Sequence, residues 1–178
     1  MRSKKALTLV SSLLLLGLAS CGGRRSQCNQ LITPINQAQT FRADYEQSMA
    51  EALAQISSAA DLAQTKAAAQ QYIAAVDTTT DNTTDLVEDI ESTNITDPQL
   101  LEYRNRYTTL IIQWTDALTN ARNAMRLAEN AESDASFQED FIRLQRQIDS
   151  AFSAIQTISA QEAPLIEEIN TYCTAPTE

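Results

Sequence analysis

Residues 137–172 read FQEDFIRLQRQIDSAFSAIQTISAQEAPLIEEINTY, and this stretch decides the architecture. Phe137, Phe141, Leu144, Ile148, Ala151, Ile155, Ile158, Leu165, Ile169 and Tyr172 recur at three- and four-residue steps. A strand turns successive side chains to opposite faces and cannot gather this set on one side, whereas an α-helix can. Kept up over about five heptads, the spacing predicts a helix packed along its length in a shallow left-handed twist. Ser136-Phe137-Gln138-Glu139 matches a capping box at its start. Pro164 is expected to bend the helix or end it early.

Three further stretches carry the same pattern. The first uses Cys28, Leu31, Ile35, Ala38, Tyr45, Met49, Ala52 and Ile56, with one polar slot at Arg42 beside Phe41. Pro34 marks its first turn or a bend. The second spans about Asp61 to Thr93 on Leu62, Ala69, Ile73, Val76, Val87 and Ile90. After Thr96, Asp97 is the expected N-cap and Pro98 the first helical residue. The third uses Leu100, Tyr103, Tyr107, Leu110, Trp114, Ala117, Ala121, Ala124 and Ala128, and the polar Glu132-Ser133-Asp134 break separates it from the fourth. The chain has only three glycines, which fits helix better than sheet. The fold class expected is all-α, an antiparallel up-down four-helix bundle over residues 28–173 with a short tail at 174–178.

The beginning of the chain reads differently. Arg2, Lys4 and Lys5 precede an apolar run from Leu7 to Leu18, and small residues lead to Cys21. These are the three regions of a secretory signal in order, and the run is shorter than the roughly 20 residues of a membrane span. Leu18-Ala19-Ser20-Cys21 resembles the lipobox of bacterial lipoproteins. The resemblance implies that residues 1–20 are cleaved and that Cys21 becomes the lipidated first residue, palmitate among its acyl chains. Two or more chains hold a protein stably in a bilayer, where one gives marginal binding. Residues 21–27 then serve as a lipidated tether, and the domain stands outside the cytoplasm, on the periplasmic side or at the outer membrane. Gly22, where enteric lipoproteins retained at the inner membrane carry aspartate, leans toward the outer one.

Ten basic and all 23 acidic residues lie from Cys21 onward, a net charge of −13. Phosphate contacts need clustered Lys and Arg, so nucleic acid is not an expected partner. The charge favours cationic partners instead: a basic protein surface, or metal ions held loosely by carboxylates. With Cys21 taken by lipid, Cys28 and Cys173 are the remaining thiols. They open the first stripe and close the fourth, at the same end of an up-down bundle, and export permits a disulfide. A Cys28–Cys173 bridge is therefore expected.

Two clusters invite a functional reading. Asp77, Asp81, Asp85 and Asp89 stand four apart in VDTTTDNTTDLVED and form a candidate calcium row. The row lacks the glycine turn and close-spaced ligands of a dedicated loop. The plainer reading is a solvated, locally frayed face with the second helix broken near Thr80, because like charges at this spacing and a run of threonines weaken a helix. Tyr103-Arg104-Asn105-Arg106-Tyr107 with Trp114 is a candidate ligand or partner contact. Yet Tyr103, Tyr107 and Trp114 all lie on the core stripe, and Glu102 stands at pairing distance from Arg106.

No cofactor and no catalytic role are expected. The chain has no histidine, hence no Glu-x-x-His di-iron motif, no zinc site of the usual kind and no histidine base. It has no glycine-rich phosphate loop. The expectation is a membrane-anchored helical-bundle lipoprotein acting as a binding or accessory structural module, with a protein partner in the envelope or a membrane complex. The alternative is a carrier of a small apolar ligand inside the bundle, at the aromatic end of the third helix. In general plan the chain is similar to the lipidated Q-type subunits of photosystem II, lipoproteins with a four-helix bundle. That likeness is of plan, and it transfers no functional residue.

Overall fold

Short polar breaks end each helix where a side chain is ready to start the next. The computed structural model describes residues 23–176. Within them run α1 (Gly23–Ser58), α2 (Leu62–Ser92), α3 (Pro98–Glu129) and α4 (Asp134–Thr174), with no strand among the described residues. Asp61 caps α2 by accepting the Gln64 N–H at 2.9 Å. Asp97 caps α3, its Oδ1 accepting the N–H groups of Gln99 at 2.9 Å and Leu100 at 3.1 Å, with Pro98 first in the helix as expected. Such caps satisfy donors that the first turn leaves without partners.

Several boundaries differ from the sequence reading. The capping box of α4 is Ser133 with Ser136, not Ser136 with Glu139. The Ser136 N–H donates to Ser133 Oγ at 3.2 Å, and the Ser133 N–H donates to Ser136 Oγ at 3.0 Å. Two short hydroxyls thus close the box and start the helix earlier. Pro164 does not end α4, which continues to Thr174. One lost hydrogen bond is outweighed because Leu165 and Ile169, just beyond it, are buried. Pro34 lies inside α1 rather than in its first turn. That helix begins at Gly23, so residues 23–27 are helical and not an extended tether, and the bundle exceeds 28–173. The signal segment 1–20 and Cys21 lie outside the described residues.

The second helix is unbroken across Thr80. Thr79 and Thr83 are buried, and each donates its hydroxyl to the carbonyl four residues back, at 2.9 Å. Thr83 also meets Thr115 of α3 at 3.0 Å. Polar atoms buried this way are satisfied, so the threonines extend the stripe instead of interrupting it. Leu86 is fully buried, and Val87 sits at the core's edge.

Each helix packs against its neighbour in sequence, whereas direct packing between α1 and α4 is slight. The core along α1, α2 and α3 follows the expected stripes: Leu31, Ile35, Tyr45, Val76, Ile90, Leu100, Tyr107, Trp114 and Ala121 are all buried. The stripe of α4 is buried only from Ala151 onward. Phe137, Phe141, Leu144 and Ile148, expected in the core, stay half-buried or exposed because little of α1 lies over them. Among the described residues no helix is long and apolar enough to cross a membrane.

A charged and aromatic layer as candidate functional site

A charged residue seldom occupies a packed stripe unless a partner stands opposite. Arg42 fills the α1 slot between Ala38 and Tyr45, and Glu162 fills the α4 slot between Ile158 and Leu165. The guanidinium donates to the carboxylate in an ion pair that bridges the two least-packed helices. The Glu162 side chain is 5% exposed and that of Arg42 22%, so the carboxylate is the more dependent partner.

Aromatic rings complete the layer. The Arg42 guanidinium lies 5.2 Å from the Trp114 ring centroid, a cation–π contact. Trp114 meets Tyr45 edge to face at 5.8 Å. The hydroxyls of Tyr45 and Tyr72 share a hydrogen bond of 3.1 Å. Tyr107 is fully buried, and its hydroxyl lacks a hydrogen-bond partner of normal geometry although Glu162 is close enough to act on it electrostatically.

Burial raises the pKa of all three phenols. For Tyr45 the neighbouring Tyr72 adds to desolvation, and for Tyr107 the charge of Glu162 does, against the opposing pull of Arg42. For Tyr72 the hydrogen bond from Tyr45 partly offsets desolvation. These hydroxyls therefore stay protonated at neutral pH and are not bases there. What the layer does physically is fix the rotation and register of α1 against α4.

The other sequence candidates fall elsewhere. Tyr103 joins the end of the bundle near Gly23, where its ring meets Tyr172 edge to face at 5.9 Å. Tyr103, Tyr107 and Trp114 are all buried. Arg106 lies 3.9 Å from Glu102, as the spacing suggested, but bonds more closely to Glu168 of α4 at 2.7 Å. The pair lowers the Glu168 pKa, chiefly through that hydrogen bond, and raises that of Arg106. Asp77 of the acidic row is engaged by Arg122 of α3, while Asp81, Asp85 and Asp89 are exposed. Among the described residues no group of three or more His, Cys, Asp or Glu converges on an ion-sized site.

The end that holds Gly23 is heavily cross-linked. Cys28 and Cys173 are joined, with Cα atoms 5.7 Å apart. Arg24 donates to the Ala175 carbonyl and stacks 5.1 Å from the Tyr172 ring. Gln27 Oε1 accepts the backbone N–H groups of Thr96 and Asp97. The Tyr172 hydroxyl donates to Asp97 at 2.8 Å, so the cap of α3 also anchors α4.

Sequence reasoning saw the slot at Arg42 but not its partner. The signal was the missing apolar residue between Ile158 and Leu165, an acid in the same stripe phase as a base on another helix. Compared with protein-family models, with curated proteins and with solved structures, the chain finds no match.

Proposed function

We propose that this chain is a membrane-anchored, extracytoplasmic binding or accessory module. It is lipidated at Cys21 and contacts a basic protein surface in the envelope or in a membrane complex. The acidic outer face of α2 carries this reading. Asp81, Asp85, Glu88 and Asp89 are exposed along one unbroken helix, and neither an internal pair nor a metal-sized cluster engages them among the described residues. A row of fixed like charges on a stiff rod attracts a complementary cationic surface and steers its approach. The cross-linked end lies next to Cys21 in sequence, so an anchored bundle would be rigid from its base.

Cross-linking in native membranes, followed by mass spectrometry of the protein purified in mild detergent, tests the reading. The expected result is one reproducible partner whose capture weakens at high salt and in the Asp81→Asn, Asp85→Asn, Asp89→Asn variant. An unlipidated mature Cys21 would overturn the anchor. Recovery of a bound small molecule with no protein partner would favour the apolar carrier instead.

A further inference from the structure

The apolar stripe of α4 runs on toward Ser133 past the point where the bundle covers it. Ala151, Ile158, Leu165 and Ile169 are buried. Phe141, on the same stripe, is 47% exposed, and the adjoining Ile142 is 65% exposed. Leu53, near the end of α1 and beside the same end of the bundle, is 37% exposed. The stripe is nonetheless preformed, because the Phe137 and Phe141 rings stack edge to face at 5.8 Å. Phe137 and Phe141 in contact, with Ile142 beside them, make a contiguous apolar patch of the kind that marks an interaction site.

We propose that a second copy of this chain covers it, the first halves of the two α4 helices pairing antiparallel about a twofold axis between Ile142 and Arg143. Charge selects this occupant. From Phe137 to Ile148 the helix holds Glu139, Asp140, Arg143 and Arg146, a net charge of zero in a chain that carries −13 from Cys21 onward. Mutual approach along this segment is therefore not opposed by the repulsion that acts on the rest of the surface. The axis sets Phe137 against the other copy's Ile148 and Phe141 against its Leu144, so each aromatic ring meets an aliphatic side chain. Gln138, Gln145 and Gln147 flank the seam with Asp140, and no acid faces an acid there.

Charge also fixes the direction. Parallel pairing would lay two acidic bundles side by side, whereas antiparallel pairing points them apart in a closed, isologous dimer. At 1.5 Å per residue, the two Gly23 ends then stand roughly 95 Å apart at opposite poles. The pairing does not depend on lipidation or on a partner at α2.

Light scattering of the full chain in mild detergent, with the detergent mass subtracted, reads the association across a concentration series. The expected result is a monomer–dimer equilibrium that Phe141→Glu abolishes and Ile112→Glu, on the outer face of α3, leaves intact. Leu144→Gln repeats the test should Phe141→Glu fail to fold. Mixing differently tagged Phe141→Cys and Leu144→Cys chains should give the mixed disulfide in preference to either homodimer. A monomer at every concentration, or a dimer indifferent to both substitutions, overturns the pairing. Preferential linkage of the Phe141→Cys chains to one another overturns its antiparallel sense.

Discussion

Arg42 and Glu162 show at the scale of single residues how a stripe can keep its period and change its chemistry. Both occupy apolar slots, and their charges are tolerable because they meet. Arg42→Ala leaves a carboxylate buried without its cation, at a cost of about 3–5 kcal/mol. Arg42→Leu combined with Glu162→Leu removes both charges and should return stability to wild type or above. Urea denaturation of Arg42→Leu, Glu162→Leu and the double closes the cycle; a loss in the double equal to the sum of the two single losses would show that the pair does not couple. The tyrosines of the same layer set the alkaline limit. Their folded pKa values lie above the unfolded value near 10, so the neutral form is favoured in the folded state. Their contribution is full below about pH 10 and falls as pH rises, by about 1.4 kcal/mol per pH unit per hydroxyl until the folded pKa is reached. With no histidine in the chain, the thermal midpoint should stay level from about pH 7 to 9 and drop steeply above 10. Tyr45→Phe should soften that drop, and an unchanged slope would show that the phenols are not its source.

At the scale of helices, period was legible in the sequence and exceptions to it were not. Four stripes and the Asp97-Pro98 start of α3 could be read directly, because spacing and capping are local properties, and the Cys28–Cys173 pairing followed from the up-down topology that the stripes imply. The continuity of α2 could not, since threonine weakens an isolated helix but bonds its own carbonyls once buried beside α3. Nor could the exposure of Phe137 and Phe141 be read, since burial depends on where another helix ends. The two internal prolines separate local cost from tertiary compensation. Pro164 is exposed, and its ring contributes little packing, whereas Pro34 is buried in the core. Pro164→Ala restores a backbone donor without opening a cavity and should stabilise by about 1–3 kcal/mol. Pro34→Ala gains the same donor but loses buried ring surface, so its gain should be smaller. Thermal unfolding of the two variants compares them; an equal gain at both sites would mean that burial of Pro34 is immaterial.

The whole molecule is a folded sheaf closed unevenly. Each helix lies along its sequence neighbour, but α1 and α4 meet mainly through the Cys28–Cys173 bridge, the Arg24 contact beside it and the Arg42–Glu162 pair. Beyond Ala151, toward the start of α4, the stripe passes out of the core, and Phe141 on it is exposed. The disulfide therefore stabilises more than one end: it holds together the two helices with the least packing to keep them adjacent. It spans 145 residues, and closing a loop of that length contributes up to about 5 kcal/mol in the chain-entropy model. For a domain of this size, where 1 kcal/mol moves the midpoint by about 2–4 °C, reduction should lower it by up to about 20 °C. The loss should also be polarised. Hydrogen exchange under reducing conditions should quicken first at the start of α1 and the end of α4, while α2 and α3, each packed between two neighbours, keep their protection. Uniform acceleration across all four helices would show that the slight α1–α4 seam suffices without its covalent link, and that the bridge acts only on the unfolded chain.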